Sequence, residues 1–379
     1  MPTISLCMIV YNEENRIRRC LESVRGFVDE IIVADTGSTD RTKSICEEYG
    51  ARIFEYPWAE DFAEVRNHSI SKASCDWILL LDADEELLIS DPAGLKHYLQ
   101  NTAYDLIPVC MTHFYGGKPA DEKRSYFSCA LRLARNDSFV RFSGVIHEKI
   151  DTVGKGIGQA ADARRFIRIL HYGYMEDALR DKQDRNLLLL SKEKDRQPAD
   201  PWISYHLAAE YYRTGKPEDA YRKVNEAIIF FLGQQTKPPS LVYKLKYDMI
   251  AALRHKAAYN GIEQAIALYP DYVDLYFYKG LLQYRQGEYE KARDAFRYCL
   301  ILGETNMRYL ILSGSGSFLP LYYIGLCHEM QGQAEQASEA FRQAEILCPG
   351  IGATGVRFEN PDETFSGVTE PQEGLTPIY

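Results

Sequence analysis

No apolar run in this chain reaches the ~18 residues that a helical membrane span requires, so none is expected. Nor is there a surplus of positive charge. Lys and Arg number 44 against 54 Asp and Glu, a formal net charge of −10. A nucleic-acid partner or an anionic membrane surface is therefore not expected. The nine cysteines show no Cys-x-x-Cys spacing, in a chain long enough not to need disulfide staples. They are expected as free, mostly buried thiols in a reducing compartment. The first residues lack a basic region and a small-residue cleavage site, and run at once into the strand-like Ile4-Ser5-Leu6-Cys7-Met8-Ile9-Val10. A signal peptide is not expected, and the cytoplasm is the expected location.

What is present is a soluble globular composition, 46% hydrophobic and 26% charged, over 379 residues. That length predicts two domains. The first ~170 residues alternate strand and helix signals. Strands are expected over 4–10, 30–35, 51–55 and 77–81, and helices over 15–24, 41–49 and 64–73. A continuous apolar run such as 4–10 suits a strand buried on both faces, and the alternation predicts a doubly wound α/β sheet. From about Pro201 strand signals nearly vanish. Three stretches echo one another there: 211–220, 284–292 and 330–337. Each has a turn glycine (Gly215, Gly287, Gly332) and an alanine five residues on (Ala220, Ala292, Ala337). Gly215 to Gly287 is 72 residues, two units of 36, and the longer gap to Gly332 holds a Gly-rich insert at 312–318. An all-α repeat of about 34 residues per unit fits. The reading divides the chain into 1–175, a helical linker 176–200, repeats over 201–350, and a loose tail 351–379.

Three constellations follow three strands. Tyr11-Asn12-Glu13 ends the first; at the carboxyl edge of such a sheet it can meet a base or ribose, or Asn12 can cap a helix. Asp35-Thr36-Gly37-Ser38-Thr39-Asp40 ends the second. Asp35 closes an apolar strand and needs hydrogen-bond donors, Gly37 permits a tight turn, and Asp40 suits a helix cap. Asp82-Ala83-Asp84 ends the fourth, where two carboxylates at i and i+2 can reach one hard cation.

Together, Tyr11-Asn12-Glu13, Asp35 to Thr42 and Leu81-Asp82-Ala83-Asp84-Glu85 resemble family 2 glycosyltransferases of the GT-A fold, over roughly residues 3 to 175. The resemblance implies an α/β doubly wound GT-A nucleotide-sugar domain, followed by tetratricopeptide-like repeats. It implies a UDP-sugar donor held by Tyr11, Asn12, Glu13, Asp35, Gly37 and Asp82, with Mg2+ or Mn2+ on Asp84, Asp82 and a late histidine, His171. Arg66 could bridge to the diphosphate, or form a surface pair with Glu64 or Asp61. His147 and Glu148 stand where an inverting member of the family carries its base, although many members have two adjacent acids there. Either could take a proton, or the pair could simply fix a loop. His171 could equally be a buried histidine at the domain junction.

Asp61-Phe62, Arg66-Asn67, His147-Glu148 and His171-Tyr172-Gly173-Tyr174 extend the resemblance to the repeat-bearing branch, which includes sublancin-type bacteriocin S-glycosyltransferases. A peptide or protein acceptor, modified on Cys or Ser, is the expectation. Stacked repeats offer a concave surface for such a chain, or a face for a homodimer. The alternatives are a surface-polysaccharide or lipid-linked acceptor, and a non-catalytic repeat scaffold with a vestigial sugar domain.

Overall fold

The structure is a computed structural model that describes residues 1–58, 60–137, 140–175, 183–253 and 261–351. Part of the expected linker, and the expected tail beyond residue 351, lie outside the described residues. Two compact units are present: residues 1–114 with 128–175, and residues 115–127 with 183–351.

In the first unit, β1 (Ile4–Val10) pairs in parallel with both β2 (Glu30–Asp35) and β4 (Trp77–Leu80), and β2 pairs in parallel with β3 (Arg52–Glu55). Being central, β1 is almost wholly buried, which is why its sequence shows no polar alternation. Helices α1 (Ile17–Ser23), α2 (Thr42–Glu48) and α3 (Phe62–Ile70) make the crossovers. Parallel pairing puts the carboxyl ends of β1, β2 and β4 on one edge, so the three motif loops share that edge.

After β4 the sheet turns antiparallel, so the doubly wound pattern covers only its first half. The later strands are β5 (Glu85–Ile89), β6 (Leu106–Gly116), β7 (Ser125–Arg135) and β10 (Ile167–Met175), with a small pair β8 (Phe142–Ser143) and β9 (Lys149–Ile150). The strand order is β3-β2-β1-β4-β7-β6-β10-β5. Antiparallel pairing of β10 with β5 sets His171 opposite Glu85, and so beside the Asp82–Asp84 turn.

The second unit is built of helix pairs. Helices 201–213 and 217–233 pack together, as do 273–285 with 289–302 and 318–330 with 334–347. Gly215, Gly287 and Gly332 take φ of 72°, 78° and 71°, the left-handed turn that ends a helix cheaply only with glycine. Ala220, Ala292 and Ala337 are buried at the close helix contacts. The Gly-rich insert is itself ordered. Its strand β11 (Ile311–Leu312) pairs with Phe127 and Tyr126 at the tip of the β6–β7 hairpin, and Ser315 Oγ donates to buried Asp274 at 2.7 Å. The sequence placed 115–127 with the sheet; the structure groups this tip with the repeat helices.

Candidate active site

Asp35 ends β2 almost fully buried. Its Oδ2 accepts from the backbone N–H of Gly37 (3.1 Å) and Ser38 (2.9 Å), while its Oδ1 is buried without a hydrogen-bond partner. A buried carboxylate oxygen with no donor is costly, and a ligand N–H would satisfy it. Gly37, at φ 109°, allows the turn that folds the loop back onto Asp35. Asn12 is not a helix cap: its Oδ1 accepts from Thr39 N–H at 2.8 Å, and its own N–H donates to Ser38 Oγ at 3.0 Å. It latches the first motif loop to the second from a left-handed backbone, φ 53°. Glu13 N–H donates to Thr42 Oγ1 at 2.7 Å, and its carboxylate pairs with Arg16 at 2.9 Å. Asp40 accepts from Thr42 N–H at 2.9 Å, the expected capping role at the start of α2. Tyr11 is exposed.

Asp84 and His171 converge, with 3.7 Å between Oδ1 and Nε2. Glycine at 173 is demanded here, since a Cβ would lie 2.5 Å from His171 Nε2 and 2.6 Å from Asp84 Oδ2. Behind His171, Nδ1 meets His113 Nδ1 at 3.1 Å, and His113 Nε2 meets Ser128 Oγ at 2.7 Å. Burial, reinforced by His171 and Arg132, pushes the His113 pKa well down, so this ring is neutral. One proton lies between the two Nδ1 atoms. When His171 supplies it, its Nε2 presents a lone pair on the Asp84 side, the tautomer that ligates a cation.

Asp82 faces elsewhere. Its Oδ2 is 3.2 Å from Arg132 and its Oδ1 3.7 Å from Arg66. Arg132 continues to Glu85 at 2.5 Å, and Arg66 Nε donates to Glu148 Oε1 at 2.8 Å. A buried line of alternating carboxyl and guanidinium groups results: Glu148, Arg66, Asp82, Arg132, Glu85. Burial pushes Glu85 up to about 8 against the pull of Arg132. Arg66 thus makes no surface pair; it is buried, and Asp61 instead caps α3 by accepting from Glu64 N–H.

The Asp61-Phe62…Arg66-Asn67 pattern has a visible purpose. Phe62 N–H donates to Val145 O at 2.9 Å, and Asn67 exchanges two 2.8 Å bonds with the backbone of Phe142. One helix thereby fixes both ends of the loop that delivers His147 and Glu148. Glu148 is fully buried, and its Oε2 has no hydrogen-bond partner. His147 sits at φ 54°.

Among the described residues no three His, Cys, Asp or Glu side chains are arranged to hold an ion. Asp84 with His171 supplies two converging donors of types that Mg2+ or Mn2+ accepts. Around them, Asp82 and Glu148 are held by Arg66 and Arg132, which leaves Asp84 as the carboxylate facing His171. The residues fit such an ion. Sequence reading missed His113, Ser128 and Arg132, and quoted Glu85 only as the end of its motif. Their only signal was a polar residue interrupting an apolar strand.

Residues 5–152 match the family described as glycosyl transferase family 2, and residues 251–306 match a tetratricopeptide repeat. A TPR repeat-containing protein of Synechococcus elongatus is 32% identical over 309 residues, 79% of this chain and 66% of that protein. The SPbeta prophage-derived glycosyltransferase SunS of Bacillus subtilis is 28% identical over 60% of this chain and 53% of its own length. The chain therefore spans just under two thirds and about half of these relatives. Glucosyl-3-phosphoglycerate synthase from Mycobacterium tuberculosis is 27% identical over 29% of this chain and 44% of that chain, at a TM-score of 0.25, which supports no argument. The first match covers the three motif loops and the second covers the helix pair 273–285 and 289–302, so this chain carries a family 2 glycosyltransferase region followed by a tetratricopeptide region.

Proposed function

We propose that the chain is an inverting glycosyltransferase that moves a sugar from a UDP-sugar to a Cys or Ser side chain of a peptide or protein. The observation that carries this reading is the gathering, on one sheet edge, of buried Asp35 with an unsatisfied oxygen, the Asp84–His171 pair, and Glu148 with its own unsatisfied oxygen. Asp35 Oδ1 accepts the uracil N–H. Asp84 and His171 hold Mg2+ or Mn2+, whose charge would stabilise the departing diphosphate. Glu148 Oε2, the oxygen that Arg66 leaves without a bond, takes the proton of the attacking thiol or hydroxyl. Arg66 and Arg132 brace the carboxylates between them, so the reacting groups are positioned before substrate arrives. An acceptor of peptide character is supported by the repeats, whose stacked helices suit an extended chain. No helix among the described residues is long and apolar enough to cross a membrane. Cytoplasmic residence is part of the same proposal.

The test is UDP release from a panel of UDP-sugars with Mg2+ or Mn2+. One donor should be turned over only with metal, and Asp84→Ala should remove that turnover. Glu148→Gln should keep donor binding while lowering turnover by about 10²–10⁴-fold. Failure of every donor to bind or react would move the weight to a scaffold role for the repeats.

A further inference from the structure

Cys110 on β6 and Cys129 on β7 bring their sulfurs to 3.1 Å. The hairpin explains the meeting. β6 and β7 are neighbours in the sheet, joined at the tip by the bond from Tyr115 N–H to Arg124 O. A disulfide bond is about 2.05 Å long, so the two sulfurs need to approach by only about 1 Å to form it. Cys129 is half-buried and Cys110 nearly buried, so the pair is reachable from one side by a small oxidant. The S–H of Cys129, and then the guanidinium groups of Arg164 and Arg168, lower the Cys110 pKa. Burial raises Cys7, Cys20, Cys46, Cys299 and Cys327, and the bond to Cys110 together with burial raises Cys129 itself, so Cys110 is the sulfur of the pair placed to attack first.

We propose that Cys110 and Cys129 form an oxidisable dithiol, closed to an intramolecular disulfide by a peroxide. One thiolate attacks hydrogen peroxide to give a sulfenic acid and hydroxide. The second sulfur displaces water from it, with hydroxide taking the spare proton. The sum is two thiols and one peroxide converted to one disulfide and two waters. The bridge fastens β6 to β7 one residue from Ser128 and three from His113.

The full chain is treated with a few equivalents of hydrogen peroxide, then denatured and alkylated without reductant. Intact mass and peptide mapping should show the loss of two alkylatable thiols, a peptide linking Cys110 to Cys129, and recovery of both with dithiothreitol. Cys129→Ser should abolish the linked peptide. Cys75→Ser, at the other half-buried thiol, should leave it unchanged. Peroxide that leaves Cys110 and Cys129 alkylatable, or consumes them without the linked peptide, overturns the proposal.

Discussion

His113 makes both of its ring contacts inside the protein, to Ser128 and to His171, and burial keeps it neutral. A residue so placed acts through its neighbour, holding the His171 ring by its Nδ1. Outer partners of this kind are worth about 10–100-fold in metal affinity or activity. His113→Leu should therefore raise the metal concentration for half-maximal UDP release by about that factor, with donor binding to the metal-free protein unchanged. An unaltered metal dependence would show that His171 orients itself. Asp35, Asp82, Asp84 and His171 stood out in the sequence because each is a polar residue that ends or interrupts an apolar run. His113, Ser128 and Arg132 were not, because their neighbours are set by strand pairing across tens of residues. The same limit explains Asn12 and Arg66. Both were marked as ligand contacts, and the structure adds bonds to Thr39 and to Glu148, partners that no local pattern names.

The elements themselves were easier to read where a local rule governs them. Strands β1, β2 and β4 fall within a residue of their expected bounds, because a run of buried apolar residues has sharp polar ends. α3 begins at Phe62, not at 64, because Asp61 caps it. The antiparallel second half of the sheet was not foreseen. Its strands are joined irregularly, by a helix at 92–101 between β5 and β6 but by a hairpin between β6 and β7, so regular βα alternation stops after β4. In the repeats, glycine serves packing as well as turns. A Cβ at Gly280 would lie 2.5 Å from the Phe296 ring, and one at Gly325 2.5 Å from Phe341. Each glycine lets one helix of a pair lie against the aromatic ring of the other. Gly280→Ala should cost about 1–3 kcal/mol despite alanine's better helix propensity, measured as a lowered denaturation midpoint. Gly233 has no atom within 4 Å of a Cβ, so Gly233→Ala serves as the control and should be neutral or stabilising.

At the scale of the whole molecule, the chain passes from the first unit to the second, back, and over again, because residues 115–127 belong with the repeat helices. Tyr126 is fully buried there, with Lys244 Nζ 4.7 Å from its ring centroid and Leu312 paired to its backbone. Tyr126→Ala should destabilise by about 3–5 kcal/mol, as loss of a buried aromatic does. Hydrogen exchange should quicken first in helices 240–253 and 273–285, far along the sequence from the substitution. Faster exchange confined to β1, β2 and β4 would mean that the tip supports the sheet instead. The pairing of β11 with this tip also bears on how the protein is made. Phe127 leaves the ribosome about 180 residues before Ile311. At ~5–20 residues per second that is roughly 10–40 s during which the nascent tip waits without its partner strand.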